Sequence, residues 1–191
     1  MVKREILLLV LLVIAIIAIV KVAEMFKTPM AEADATKFVL EDLRAKYLGA
    51  DAEIINVRPL TNSAGEKYFE IKAKVTKQQG TPCPERMHIF YNYPVQNFVP
   101  QPPEVITSNC QVCTTPSCIL VFPEEAVIAS HTFVGTEEVS QYISSFPNAK
   151  PNAAEISSGW TVTWNSGNAT YYYLVNVLKN NSIGQVKRVG K

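Results

Sequence analysis

The side chains able to ligate a metal, exchange electrons or move a proton near neutral pH are Cys83, Cys110, Cys113, Cys118, His88 and His131. The cysteines contain a C-x-x-C spacing (Cys110, Cys113) and a C-x-x-x-x-C spacing (Cys113, Cys118). Three chemistries fit. Structural disulfides are what an exported chain of this size makes of four cysteines. Among the connectivities, Cys83–Cys110 with Cys113–Cys118 is preferred, because the first bond ties a connector to the strand entry at Cys83. A four-thiolate zinc site has the right ligand type but lacks a second C-x-x-C knuckle, since Cys83 stands alone. A redox C-x-x-C belongs at a helix N-terminus in a βαβ setting, whereas Cys110-Gln111-Val112-Cys113 sits among loop residues. Disulfides are the expectation, with no metal and no cofactor.

The histidines add little at this level. His88 alternates within a strand, on the face opposite Met87 and Ile89, and is expected to be solvated; His131 lies just before a helix. The chain has no H-E-x-x-H, no G-x-S-x-G and no phosphate loop, and no close acidic pair suggests hydrolysis. The expectation is a protein that is not an enzyme and takes no small-molecule substrate.

The elements that must hold these residues follow from periodicity. Residues 35–47 carry Ala35, Val39, Leu43 and Tyr47 at a four-residue spacing beside Phe38, with Asp34 as N-cap and Gly49 as the stop, so an amphipathic helix is predicted. Strands follow at 53–58, 68–76 and 87–93, stopped by Pro59 and Pro94. In the second of them Phe69, Ile71, Ala73 and Val75 alternate with Glu70, Lys72 and Lys74, which predicts an antiparallel sheet covered on one side. Residues 100–130 form a proline- and cysteine-rich connector in which 118–122 and 126–129 are apolar enough to be strands. A second helix is predicted over 136–146, with Thr136 as N-cap and Pro147 as the stop. Three more strands follow it. The order is therefore αβββ twice, at 35–99 and 131–191.

In the last strands Trp160 and Trp164 share one face, and Tyr171 and Tyr173 share one face of the next. Tyr172, Leu174 and Leu178 project to the other side, and Phe90 and Tyr91 place aromatics on both faces of an earlier strand. These five are the candidate partner-binding residues, acting through sheet surface or edge.

The stretch WTVTWNSGNATYYYLVNVLKNNSIGQVKRV, with its alternating strands and Asn/Gly/Ser turns, resembles the strands of PepSY domains. That resemblance implies cystatin-like modules, a helix on an antiparallel sheet, of a kind associated with control of envelope peptidases and cell-wall enzymes. It carries over no inhibitory residue.

Charge is balanced, with 18 basic and 17 acidic residues and no basic block, which argues against a nucleic-acid surface. The apolar run from Ile6 to Ala23 (residues 6–23) follows Lys3 and Arg4; at about 1.5 Å per residue it approaches the ~30 Å of a hydrocarbon core. It predicts a transmembrane signal anchor in contact with membrane lipid, after a cytoplasmic tail at 1–5 and before a linker at 24–34. The cysteines and the sequons at Asn168 and Asn180 favour an extracytoplasmic C-terminal part.

The expected fold class is thus α+β, one transmembrane helix and two cystatin-like αβββ modules. The expected function is binding and regulation of an envelope protein or peptidase. Two alternatives stay open. One is a pilin-like assembly subunit, for which Glu5 precedes the apolar run but no Gly or Ala cleavage site precedes Glu5. The other is a thiol-redox or zinc-binding envelope protein.

Overall fold

The computed structural model describes Leu12 and residues 14–18, 31–96, 101–112 and 118–191. The chain divides into two units, Met1–Asp34 and Ala35–Lys191. In the first, Leu12 and residues 14–18 are helical, and Leu12, Ile14, Ile16 and Ile17 are exposed.

Helix α1 (Glu32–Lys46) begins earlier than its periodicity suggests, so Asp34 lies in its first turn and not at its cap. Its buried stripe is Ala35, Val39 and Leu43, each with no accessible surface. The stripe packs on Ile71, Ala73, Val75 and Ile89 of a sheet ordered β1-β2-β3-β4, all antiparallel. The strands are β1 (Asp51–Thr61), β2 (Lys67–Lys77), β3 (Glu85–Tyr93) and β4 (Glu104–Thr107). Pro59 does not stop β1 but lies inside it. An edge strand has one side free of ladder bonds, so a missing N–H is tolerated there.

The second sheet is ordered β5-β6-β7-β8, again antiparallel throughout. Its strands are β5 (Lys150–Ile156), β6 (Gly159–Asn165), β7 (Tyr171–Leu178) and β8 (Ser182–Gly190). Two helices cover one face, α2 (Pro123–Thr132) and α3 (Glu137–Ser145). Trp160, Val162, Trp164, Tyr173, Val175 and Val177 point into that core.

Helix α2 is the centre of the unit. Seven consecutive residues, from Glu124 through Ser130, are buried, so it has no solvent face. A helix buried all round must be packed from more than one side. It packs on β5, β6 and β7 of the second sheet and reaches β4 of the first. It starts at Pro123, where proline's missing N–H costs nothing, and the Glu125 carboxylate accepts from the Val121 and Phe122 N–H groups at 2.8 Å each.

Two further expectations are corrected. The αβββ repeat becomes one helix with four strands, then two helices with four strands; residues 126–129, read as strand, are helical. The transmembrane helix expected over residues 6–23 is not found: no helix among the described residues is long and apolar enough to cross a membrane. Most of that run lies outside the described residues.

Gly159 opens β6 where the backbones of β6 and β7 come close. A Cβ there would lie 2.1 Å from the Val177 carbonyl oxygen, in a conformation (φ +154°) that side chains rarely adopt. Gly159→Ala should therefore destabilise the fold by about 2–3 kcal/mol, read as a lower urea midpoint. A midpoint equal to wild type would show that the two strands can part at no cost.

Candidate functional site

Three places bring chemistry-bearing residues together. The first is a buried polar chain where α2 meets the first sheet. The Arg86 Nη1 donates to Glu124 Oε2 at 2.9 Å, and Thr76 Oγ1 donates to Glu124 Oε1 at 3.0 Å. Both oxygens of the carboxylate are thereby used. The Arg86 and Glu124 side chains are only 8% and 9% exposed, so neither charge has water to fall back on. The guanidinium lies 3.8 Å from the Phe122 ring centroid. An irregularity between Arg86 and Met87 in the β3–β4 pairing turns this stretch, and the Arg86 N–H is held by Thr107 Oγ1 at 2.8 Å.

The chain continues through His88. Arg86 Nε donates to His88 Nε2 at 3.2 Å, so the imidazole proton sits on Nδ1 and is given to Glu104 Oε2 at 3.0 Å. Lys72 Nζ reaches the same oxygen at 3.0 Å. His88 is 2% exposed, which corrects its expected solvation. The alternation placed it on the right face, but that face is closed by Phe122, whose ring meets the imidazole edge-on at 5.1 Å. Burial pushes the His88 pKa down, the Lys72 and Arg86 charges add to this, and the Glu104 bond opposes it. Glu104 is held below its ordinary value by its bonds from His88 and Lys72.

The second place is the disulfide. Cys83 and Cys110 are bonded to each other, and Cys118 is also disulfide-bonded; Cys113 lies outside the described residues. Beside the first bond, His131 Nε2 lies 3.5 Å from Cys110 Sγ, while its Nδ1–H donates to the Val127 carbonyl at 2.9 Å. Cys83 and Cys110 come from the first-sheet part of the chain, and His131 from the last turn of α2. A cleft of about 300 Å³ opens nearby, lined by Gln79, Thr81, Pro123, Glu124 and Asn152 among others.

The third is the open face of the second sheet. Tyr173, Val175 and Val177 point inward, so Tyr172, Leu174 and Leu178 point outward, half-buried among their neighbours. Cross-strand pairing sets Tyr172 beside Val189, and Leu174 between Thr163 and Lys187. The earlier pair does not join them. Phe90 lies on the first sheet under the Lys72 ammonium, 5.2 Å from its ring centroid. Tyr91 is half-buried: it packs against the core beneath α1, and its hydroxyl donates to Asp42 Oδ2 at 2.6 Å.

Comparison with protein-family models, curated proteins and solved structures gave no match to this chain. The PepSY likeness therefore rests on strand pattern alone.

Two outcomes follow from the buried chain. Glu124→Ala leaves the Arg86 cation buried without its carboxylate, which should cost about 3–5 kcal/mol in urea unfolding. An unchanged midpoint would mean the guanidinium finds water. The second outcome concerns pH. Because the folded chain keeps His88 neutral, its contribution is complete above the ordinary value of 6.5 and is lost as pH falls below it. Glu104, depressed below 4.5, loses its contribution as pH falls further. Stability should drop between about pH 7 and about pH 5, with a smaller slope in His88→Gln. Equal slopes in both proteins would assign the loss to other groups.

Proposed function

We propose that this chain is a non-enzymatic binding protein of an oxidising, extracytoplasmic space, and that it engages a protein partner through the open face of its second sheet. The observation that carries the reading is the make-up of that face. Tyr172, Leu174 and Val189 form its apolar centre, Thr161, Thr163, Asn152 and Asn176 surround them, and Lys150 and Lys187 supply charge. No carboxylate lies on this face among the described residues. An aromatic and aliphatic centre with a polar, cationic rim suits an acidic protein surface. The opposite face is filled by α2 and α3, so it is closed to partners.

The disulfides support the compartment, since such bonds persist where glutathione does not reduce them. An envelope peptidase or cell-wall enzyme is the partner class that the PepSY likeness implies, and the helix-on-sheet order of each half is consistent with it.

The test is site-specific photocrosslinking in the native host, with the reactive residue at position 172 and, as control, at the exposed Glu41 of α1. Position 172 should give one adduct with a different protein. That adduct should weaken as salt rises, and Leu174→Asp should abolish it without changing tryptophan fluorescence. The same adducts from both positions would refute binding through this face. Adducts of the chain with itself alone would replace the reading with an assembly subunit.

A further inference from the structure

We propose that Cys83, Cys110 and His131 form a zinc site when their disulfide is reduced, so that this centre exists in two exclusive states, S–S bonded or metal-bound. The three ligand atoms already lie within 4.8 Å of one another. With Zn–S about 2.3 Å and Zn–N about 2.0–2.1 Å, the tetrahedral angle sets sulfur and nitrogen about 3.5 Å apart. His131 Nε2 and Cys110 Sγ are separated by 3.5 Å. The two sulfurs must part to about 3.8 Å on the same geometry, with Cys83 Sγ set about 3.5 Å from the His131 nitrogen.

The imidazole is prepared for this role. A carbonyl can only accept, so the Val127 bond fixes the proton on Nδ1 and leaves the Nε2 lone pair facing the sulfur. The ring is steadied by Trp164, edge to face at 5.3 Å, and the His131 carbonyl accepts from Ser140 Oγ. Cys110 is aimed by its turn. Gln111 N–H closes back on the Ser108 carbonyl at 3.0 Å, with Asn109 and Cys110 both at positive φ (52° and 58°). A cysteine in that conformation is disfavoured by about 1–2 kcal/mol.

The exchange balances. A dithiol reductant gives two electrons and two protons to the Cys83–Cys110 bond and leaves as its own disulfide. Zinc then binds the two thiolates, releasing both protons, and the neutral imidazole is the third ligand. An oxidising disulfide reverses this, taking two electrons and freeing the metal. Three protein ligands leave one position for water or an outside donor. Because both sulfurs come from the first-sheet side and the imidazole from α2, metal binding ties these two parts of the fold directly, which the disulfide, joining two first-sheet positions, does not.

The test uses the full chain carrying Cys113→Ser and Cys118→Ser, reduced with a phosphine, which becomes phosphine oxide with oxygen from water. Cobalt(II) is the spectroscopic probe and zinc the competitor. One cobalt per chain should bind, with a thiolate-to-metal charge-transfer band that zinc removes. His131→Ala should weaken binding by more than about 100-fold, beyond the range for losing an outer-shell partner. Adding Cys83→Ser and Cys110→Ser should abolish the band. No binding, binding unchanged without His131, or a reduced chain that stays unfolded with zinc present would each overturn the proposal.

Discussion

Everything in the unit from Ala35 to Lys191 depends on one helix having no surface. α2 is buried from Glu124 to Ser130, and its first turn carries a carboxylate that must be matched. Arg86 and Thr76 of the first sheet do the matching. An ion pair this dry adds little net stability by itself, because desolvating both charges offsets most of their attraction. What it does is forbid alternatives. Any arrangement that pulls α2 from the first sheet leaves two buried charges unpaired.

That constraint orders its surroundings. Arg86 uses its Nε to set the His88 tautomer, and His88 donates in turn to Glu104, which also accepts from Lys72. The end of the same helix brings His131 to the Cys83–Cys110 bond. One short helix therefore meets the first sheet through a charge pair near its start and a sulfur centre at its end. The outer face of the second sheet, away from this junction, is left for binding in the function proposed here.

Much of this was legible in the sequence, for physical reasons that can be named. The alternation around Phe69–Val75 is period two and half-buried, and the four-residue spacing from Ala35 to Leu43 is that of a helix with one wet side. Tyr172 and Leu174 could be assigned to an outward face on the same ground. The run Ala126–Ala129 could not be read by periodicity, because a helix buried all round shows no moment. Its signal lay just upstream, in Pro123-Glu124-Glu125, a proline and acidic first turn that mark a helix start. β5 was missed because Lys150-Pro151-Asn152-Ala153-Ala154 has little β-propensity and is held as an edge by pairing with β6. His131 gave no signal at all, since its meeting with Cys110 is made by tertiary packing and not by spacing.

The central claim is that α2 makes the two sheets one cooperative body. Both tryptophans, Trp160 and Trp164, belong to the second sheet, so their fluorescence reports that half alone, whereas far-UV circular dichroism reports both. Urea unfolding followed by the two signals tests the claim directly. Coincident transitions are the predicted result. Loss of ellipticity at a urea concentration where tryptophan fluorescence is still native would contradict it, because the first sheet would then unfold while the helix and its partner sheet stood.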